Sequence, residues 1–253
     1  MADNRDWTRD ELLVCFNFYC RTPFGKFHRN NPEIIQLAEA LNRTPSAVAM
    51  KLSNFASFDP AHQSRNVKGL ANASRLDRAV WEEFNANPNL LAQQSEEAYG
   101  RLELPSAVPA EVEFAMPTGP TEATATRPMR LVQSFFRRSV LAAYRYSCAF
   151  CRIDIPAVLS ASHIIPRTAS IELRADPRNG LSLCTLHDRA FDRGLMCIDN
   201  KLRLRISRSA TSKADCEVFR AAFTKLEGKP ISLPERFHPH SSSLEYHRSK
   251  IFR

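Results

Sequence analysis

Apolar residues return at helical spacing through the first hundred positions. Leu12, Leu13, Phe16 and Tyr19 share one helical face, and Thr8 with Glu11 fits a capping box ahead of them. This predicts a helix over roughly residues 8–20. Asn31 can cap a second helix with Pro32 in its first turn, along which Ile34, Ile35, Leu37, Ala38 and Leu41 form a stripe. After the short turn NRT, Thr44 and Pro45 open a third helix carrying Val48, Met50, Leu52 and Phe55. Two short helices joined by a tight turn, after a Trp-led first helix, make a tri-helical helix-turn-helix pattern. Residues 74–100 read as helical again, with Trp81 and Phe84 packing back on the first three helices.

The periodicity lapses over 104–128, where Pro105, Pro109, Pro117, Pro120 and Pro128 stand among Ala and Thr. A semi-rigid linker there divides the chain into a helical domain, 1–103, and a second domain, 129–253. The second domain opens on an amphipathic helix bearing Arg130, Arg137, Arg138 and Arg145. The extended run AVLSASHIIP follows, then an irregular stretch to Asn179. LMCID and KLRLRIS predict a β-hairpin turning at Asp199-Asn200, followed by a helix near 213–225 and a Pro-rich tail.

Charge sharpens this division. Residues 1–103 carry 12 Lys/Arg against 13 Asp/Glu, whereas 104–253 carry 23 against 14. A basic C-terminal half favours a polyanionic partner, since each neutralised phosphate releases counterions; a surface kept basic for solubility is the plainer alternative. No signal peptide or bilayer-length apolar run is evident, so a soluble, cytoplasmic protein is expected. In that compartment the seven cysteines suit thiols and a metal site better than a disulfide framework.

Cys148-x-x-Cys151 and Cys184-x-x-His187 offer three sulfurs and one imidazole, a tetrahedral set for structural Zn²⁺. Buried thiols beside an unrelated histidine are the alternative. Asp188 and Asp192 lie four apart and share a helical face, a hard-oxygen pair suited to Mg²⁺ or Mn²⁺. Equally, Asp192 could pair with Arg189 or Arg193 on a solvated surface.

Two resemblances add to this reading. Trp7-Thr8 with Glu11, and the run LAEALNRTPSAVAMKL, make the first fifty or so residues similar to the Myb-like and related bacterial helix-turn-helix families. In that arrangement the third helix enters the major groove, with Arg43, Ser46, Lys51 and Asn54 as polar candidates for DNA contact; a small bundle for protein contact is the alternative. The strings YRYSCAFC, SHIIP, NGLSLC and LHDRAFDRGL together resemble the HNH endonucleases, the ββα-metal nucleases, over about sixty residues. The terminal YH and KIFR look like the tail of restriction-type members.

The resemblance implies that His163 is the general base and that Asn179 holds the intervening loop by backbone hydrogen bonds. It puts the last metal-ligand position at Asp188, nine after Asn179, with Asp192 beside it, and leaves His187 to the zinc knuckle. Ser162 stands where many relatives have Asp or His, and Asp188 where many have His. Arg137, Arg138, Arg189 and Arg193 could grip phosphates. The expectation is an α+β protein, with an all-helical, helix-turn-helix-like N-terminal domain and a C-terminal ββα-metal HNH domain with a zinc knuckle. It would hydrolyse duplex DNA with Mg²⁺ or Mn²⁺, in restriction or defence, by sequence or by base modification. A homodimer would let two such domains cut both strands. The rival is a zinc-containing DNA-binding regulator that does not cleave.

Overall fold

The computed structural model describes residues 5–65, 73–104, 127–211 and 216–253. The linker expected over 104–128 lies outside these residues except for its ends, and Arg127 and Pro128 already belong to a helix.

The architecture is α+β. Among the described residues, six α-helices form the N-terminal part: α1 Arg9–Arg21, α2 Pro32–Ala40, α3 Pro45–Phe58, α4 Pro60–Gln63, α5 Arg75–Ala86 and α6 Pro88–Gly100. Their starts follow local chemistry. Thr8 and Glu11 close a capping box on α1, and Asn31, Thr44, Asp59, Ser74 and Asn87 each accept a backbone N–H at the next five N-termini. Phe16, Tyr19, Phe55, Trp81 and Phe84 form the aromatic centre of this layer.

The C-terminal part begins with α7, Arg127–Ala143. Strands β1 (Leu159–His163) and β2 (Gly180–Cys184) pair antiparallel, with Leu159 opposite Cys184 and His163 opposite Gly180. Helix α8, Thr185–Asp192, leaves β2 directly and so completes a ββα unit. Gly194, at φ +68°, ends it by turning the chain left-handed. β3 (Met196–Ile198) and β4 (Leu204–Ile206) form the expected hairpin. Its turn runs through five residues, organised by Asp199 Oδ1, which accepts from Lys201 N and Arg203 N at 2.9 Å each. Short helices α9 (Arg208–Thr211) and α10 (Glu217–Ala222) follow, then α11, Ser241–Lys250. The helix expected near 213–225 is thus a single short helix with a 3₁₀ turn after it, residues 213–215 lying outside the described set. The tail, in turn, holds a helix that its polar sequence hid.

The two parts share a core. Phe135 of α7, Ala175 of the β1–β2 loop and Phe237 are buried among the N-terminal aromatics. Phe237 lies parallel to Trp81, and its N–H donates to Asp59 Oδ2 at 3.0 Å. The guanidinium of Arg236, fully buried, donates to the Cys20 carbonyl at 2.7 Å.

Three residues expected to face DNA face this interior instead. Arg43 is buried against Glu11, donating at 3.1 and 3.0 Å, and lies over the Trp7 ring. Burial works against the Glu11 charge, but Arg43 and the Thr8 N–H hold its pKa down at about 2. Lys51 Nζ meets both oxygens of Asp77, at 2.9 and 3.1 Å, and Asn54 Nδ2 donates to the same carboxylate at 2.7 Å. Asp77, with no exposed surface, thereby ties α3 to the capping box of α5. A desolvated carboxylate needs such partners, so these side chains are held inside and do not form a groove-reading face. Ser46 alone of the four is exposed.

Candidate active site

The site grows from the ββα unit. α7 and α8 both pack on β1 and β2. Alternation along β1 sends Ser160 and Ser162 to one face and His163 to the other. The serines lie beside Asp188 of α8. The His163 ring stacks flat on Phe136 of α7, with centroids 3.7 Å apart. Gly180, directly opposite His163, leaves room for Phe136 and Val140, whose side chains occupy the space its Cβ would need.

A cavity of about 610 Å³ opens at the end of β1 and collects both faces. His163, Asp188, Asp192 and Ser162 line it together. So do Arg137, Arg189 and Arg193, and also Arg167, which the sequence reading did not select. Arg138 takes another direction and pairs with Glu96 of α6 at 3.1 Å.

Asn179 is buried and holds the loop after β1 at both polar atoms of one residue. Its Oδ1 accepts from Ile165 N at 2.9 Å, and its Nδ2 donates to Ile165 O at 3.0 Å. His163 Nε2 sits 3.1 Å from the Arg174 carbonyl. A carbonyl can only accept, so Nε2 carries the proton and Nδ1 is left as the basic nitrogen. Burial pushes the His163 pKa down to about 4, helped by the charges of Arg167 and Arg174 and opposed by that carbonyl. The ring is therefore neutral at neutral pH.

Desolvation raises the Asp188 pKa, against the serine hydroxyls and Arg189 and Arg137. Asp192, though open to solvent at the rim, is pushed up to about 6 by the surrounding atoms and then by the charge of Asp188. Ser162 Oγ is buried close to both carboxylates, yet makes no well-formed hydrogen bond among the described residues. Two crowded carboxylates with an orphaned hydroxyl are an all-oxygen donor set, which fits a hard divalent cation. Arg137 is anchored to the Leu159 carbonyl at 2.9 Å, and burial lowers its pKa, offset in part by Asp188.

A second cluster stands apart from the cavity. The donor atoms of Cys148, Cys151, Cys184 and His187 all lie within 4.8 Å of one another. His187 Nδ1 is 3.1 Å from Cys184 Sγ and 3.7 Å from Cys148 Sγ, and Cys151 Sγ is 3.9 Å from Cys184 Sγ. Tetrahedral zinc, with bonds of about 2.3 Å to sulfur and about 2.0 Å to nitrogen, sets its donors roughly 3.5–3.8 Å apart. His187 Nε2 donates to the Ala222 carbonyl at 2.8 Å, which fixes the tautomer with Nδ1 free for a metal. The cluster can hold a metal ion and would tie the 148–151 turn to the start of α8.

The far wall of the cavity includes His247 of α11. Its ring lies flat on Phe191, centroids 3.6 Å apart, and its Nε2 donates to the Phe191 carbonyl at 3.0 Å. His247 belongs to the terminal YH string, which the sequence marks only by its similarity to the tail of restriction-type members.

Among the described residues, no helix is long and apolar enough to cross a membrane. A comparison with curated proteins finds no match to the chain. The family model for HNH endonuclease matches residues 148–199, the span from the first knuckle cysteine to the hairpin turn, and this segment is an HNH-family domain.

Proposed function

We propose that the protein is a divalent-metal-dependent DNA endonuclease. The observation that carries the reading is the convergence of a neutral His163, the Asp188–Asp192 pair and several arginines on one cavity, lined largely by the HNH segment. His163 Nδ1 takes the proton of the attacking water, and its Nε2–H stays with the Arg174 carbonyl, which steadies the ring as it becomes charged. Arg137, Arg167, Arg189 and Arg193 surround the cavity with positive charge and bind the phosphates flanking the scissile bond. Asp188 and Asp192, with Ser162 beside them, would hold Mg²⁺ or Mn²⁺. When bound there, the cation polarises the phosphate and stabilises the departing oxygen.

Cys148, Cys151, Cys184 and His187 hold Zn²⁺ as a structural clasp. Duplex DNA is the substrate, and restriction or other defence is the setting we propose, by sequence or by base modification. A second copy of the chain would supply the cut on the opposite strand. Plasmid cleavage tests the reading. Wild type should nick supercoiled DNA with Mg²⁺ or Mn²⁺, and His163→Ala should slow it by about 10²–10⁴-fold with the fold intact. Equal rates for the two proteins would refute the mechanism.

A further inference from the structure

The loop between β1 and β2 is held by two asparagines, and one of them belongs to the helical part of the chain. Asn179 pins the near end at Ile165. Asn89, in the first turn of α6, pins the far end: its Nδ2 donates to the Ile171 carbonyl at 2.7 Å, and its Oδ1 accepts from Ala175 N at 2.9 Å. Ala175 itself is fully buried in the helical core. Between these two anchored residues lies Arg174, whose carbonyl accepts the Nε2–H of His163. Arg174 also reaches back along the loop, donating from Nε to the Arg167 carbonyl at 3.0 Å.

We infer that Asn89 is a positioning residue for His163, so that the helical part builds the active site of the nuclease. The inference rests on the nuclease reading for its consequence but not for its geometry. A peptide carbonyl keeps its direction only when its neighbours are fixed. Ala175 N–H belongs to the peptide unit that carries the Arg174 carbonyl, so the bond to Asn89 Oδ1 orients that unit. A carbonyl so oriented selects one tautomer of His163, with the proton on Nε2 and Nδ1 basic. Without Asn89, nothing among the described residues holds the Ala175 N–H, and the carbonyl can turn away. The ring, stacked on Phe136, would then keep its plane but lose the contact that specifies its protonated nitrogen.

The test uses the full-length chain with ¹⁵N-labelled histidine, and the His163 imidazole signals are assigned by their loss in His163→Gln. Wild type should show a single Nε2–H tautomer near neutral pH. Asn89→Ala should show mixed tautomers, with single-turnover plasmid cleavage slowed about 10–100-fold and the half-saturating DNA concentration unchanged. Asn85→Ala removes a contact with the Arg178 side chain in the same region without touching the Arg174 peptide, and should match wild type in both readouts. If Asn89→Ala does not fold, Asn89→Asp decides the matter. It retains the acceptor for Ala175 N and loses the donor to Ile171, so an intermediate effect is expected. A folded Asn89 variant with the wild-type tautomer and a rate within twofold of wild type overturns the inference. Should wild type fail to cleave DNA while the tautomer still responds to Asn89, the nuclease reading falls and the positioning role stands.

Discussion

The helical part and the nuclease part hold similar cationic side chains in opposite ways. Arg43 and Lys51 lie inside the helical layer, matched to Glu11 and Asp77. Arg189 and Arg193 stand exposed around a cavity. The first kind fixes how helices meet, and its removal leaves a buried carboxylate short of a cationic partner. The second kind is available to an external polyanion. The same residue types are locked into ion pairs in one region and left at the surface in the other, and burial, not identity, decides which.

Cysteine marks the widest difference between the two regions. Cys148 belongs to the Cys₃His cluster, whereas Cys15 is a buried thiol in the helical core with its pKa raised by burial. Apparent zinc-binding energies of such motifs are on the order of 10 kcal/mol. Cys148→Ser should therefore abolish a bound zinc stoichiometry of about one per chain and melt the protein in mild conditions. Cys15→Ala should cost only about 1–2 kcal/mol, as a small core truncation does. Metal analysis and thermal melts of both variants measure this; a zinc-free wild type that melts normally would erase the contrast.

The ion pairs come next. Lys51→Met leaves Asp77 buried with one fewer partner and should destabilise the chain by about 3–5 kcal/mol, with cleavage per folded molecule unchanged. Arg193→Ala, at an exposed position, should alter stability by less than about 0.5 kcal/mol. It should instead weaken DNA binding and reduce the salt slope by about one. Urea titrations and salt-dependent binding separate the two. If Lys51→Met weakened DNA binding without loss of stability, the helical layer would regain a direct role in contacting DNA.

These differences explain what could be read from the sequence. Capping and short-range spacing are local, so the Thr8–Glu11 box, the Asn31 and Thr44 caps and the paired Cys-x-x-Cys and Cys-x-x-His steps were legible. The fate of Arg43, Lys51 and Asn54 was not, because Glu11 and Asp77 reach them only through the tertiary fold, Asp77 from another helix. A polar residue on a helix looks the same whether its face meets water or a buried acid. Asn89 was hidden for the same reason: its partners lie more than eighty positions away, in the β1–β2 loop. Helix α11 lacked an apolar stripe to announce it, since Ser243, Leu244 and His247 make its buried side.

Acid offers the gentlest way to probe whether the two parts behave as one body. His62 in the helical part and His247 in the nuclease part are both buried, and burial lowers each pKa to about 4. Unfolded histidine titrates near about 6.5, so between these values the unfolded chain binds more protons. Stability is complete above about pH 6.5 and is lost as pH falls through about 4, by up to ~3 kcal/mol per ring. In the nuclease part Asp192, raised to about 6, acts in the opposite sense, while His163, also lowered to about 4, adds to the loss. If the parts were independent, each would give way at its own pH, because these balances differ. The burial of Phe135, Ala175 and Phe237 in the helical core argues for one transition instead. Both tryptophans, Trp7 and Trp81, lie in the helical part, so their fluorescence reports that region. Urea unfolding at about pH 5 should give coincident midpoints by tryptophan fluorescence and far-ultraviolet circular dichroism, and His247→Gln should shift both together. A fluorescence midpoint that ignored His247→Gln would show the helical part unfolding alone, and its grip on the β1–β2 loop through Asn89 would then be too weak to set the histidine.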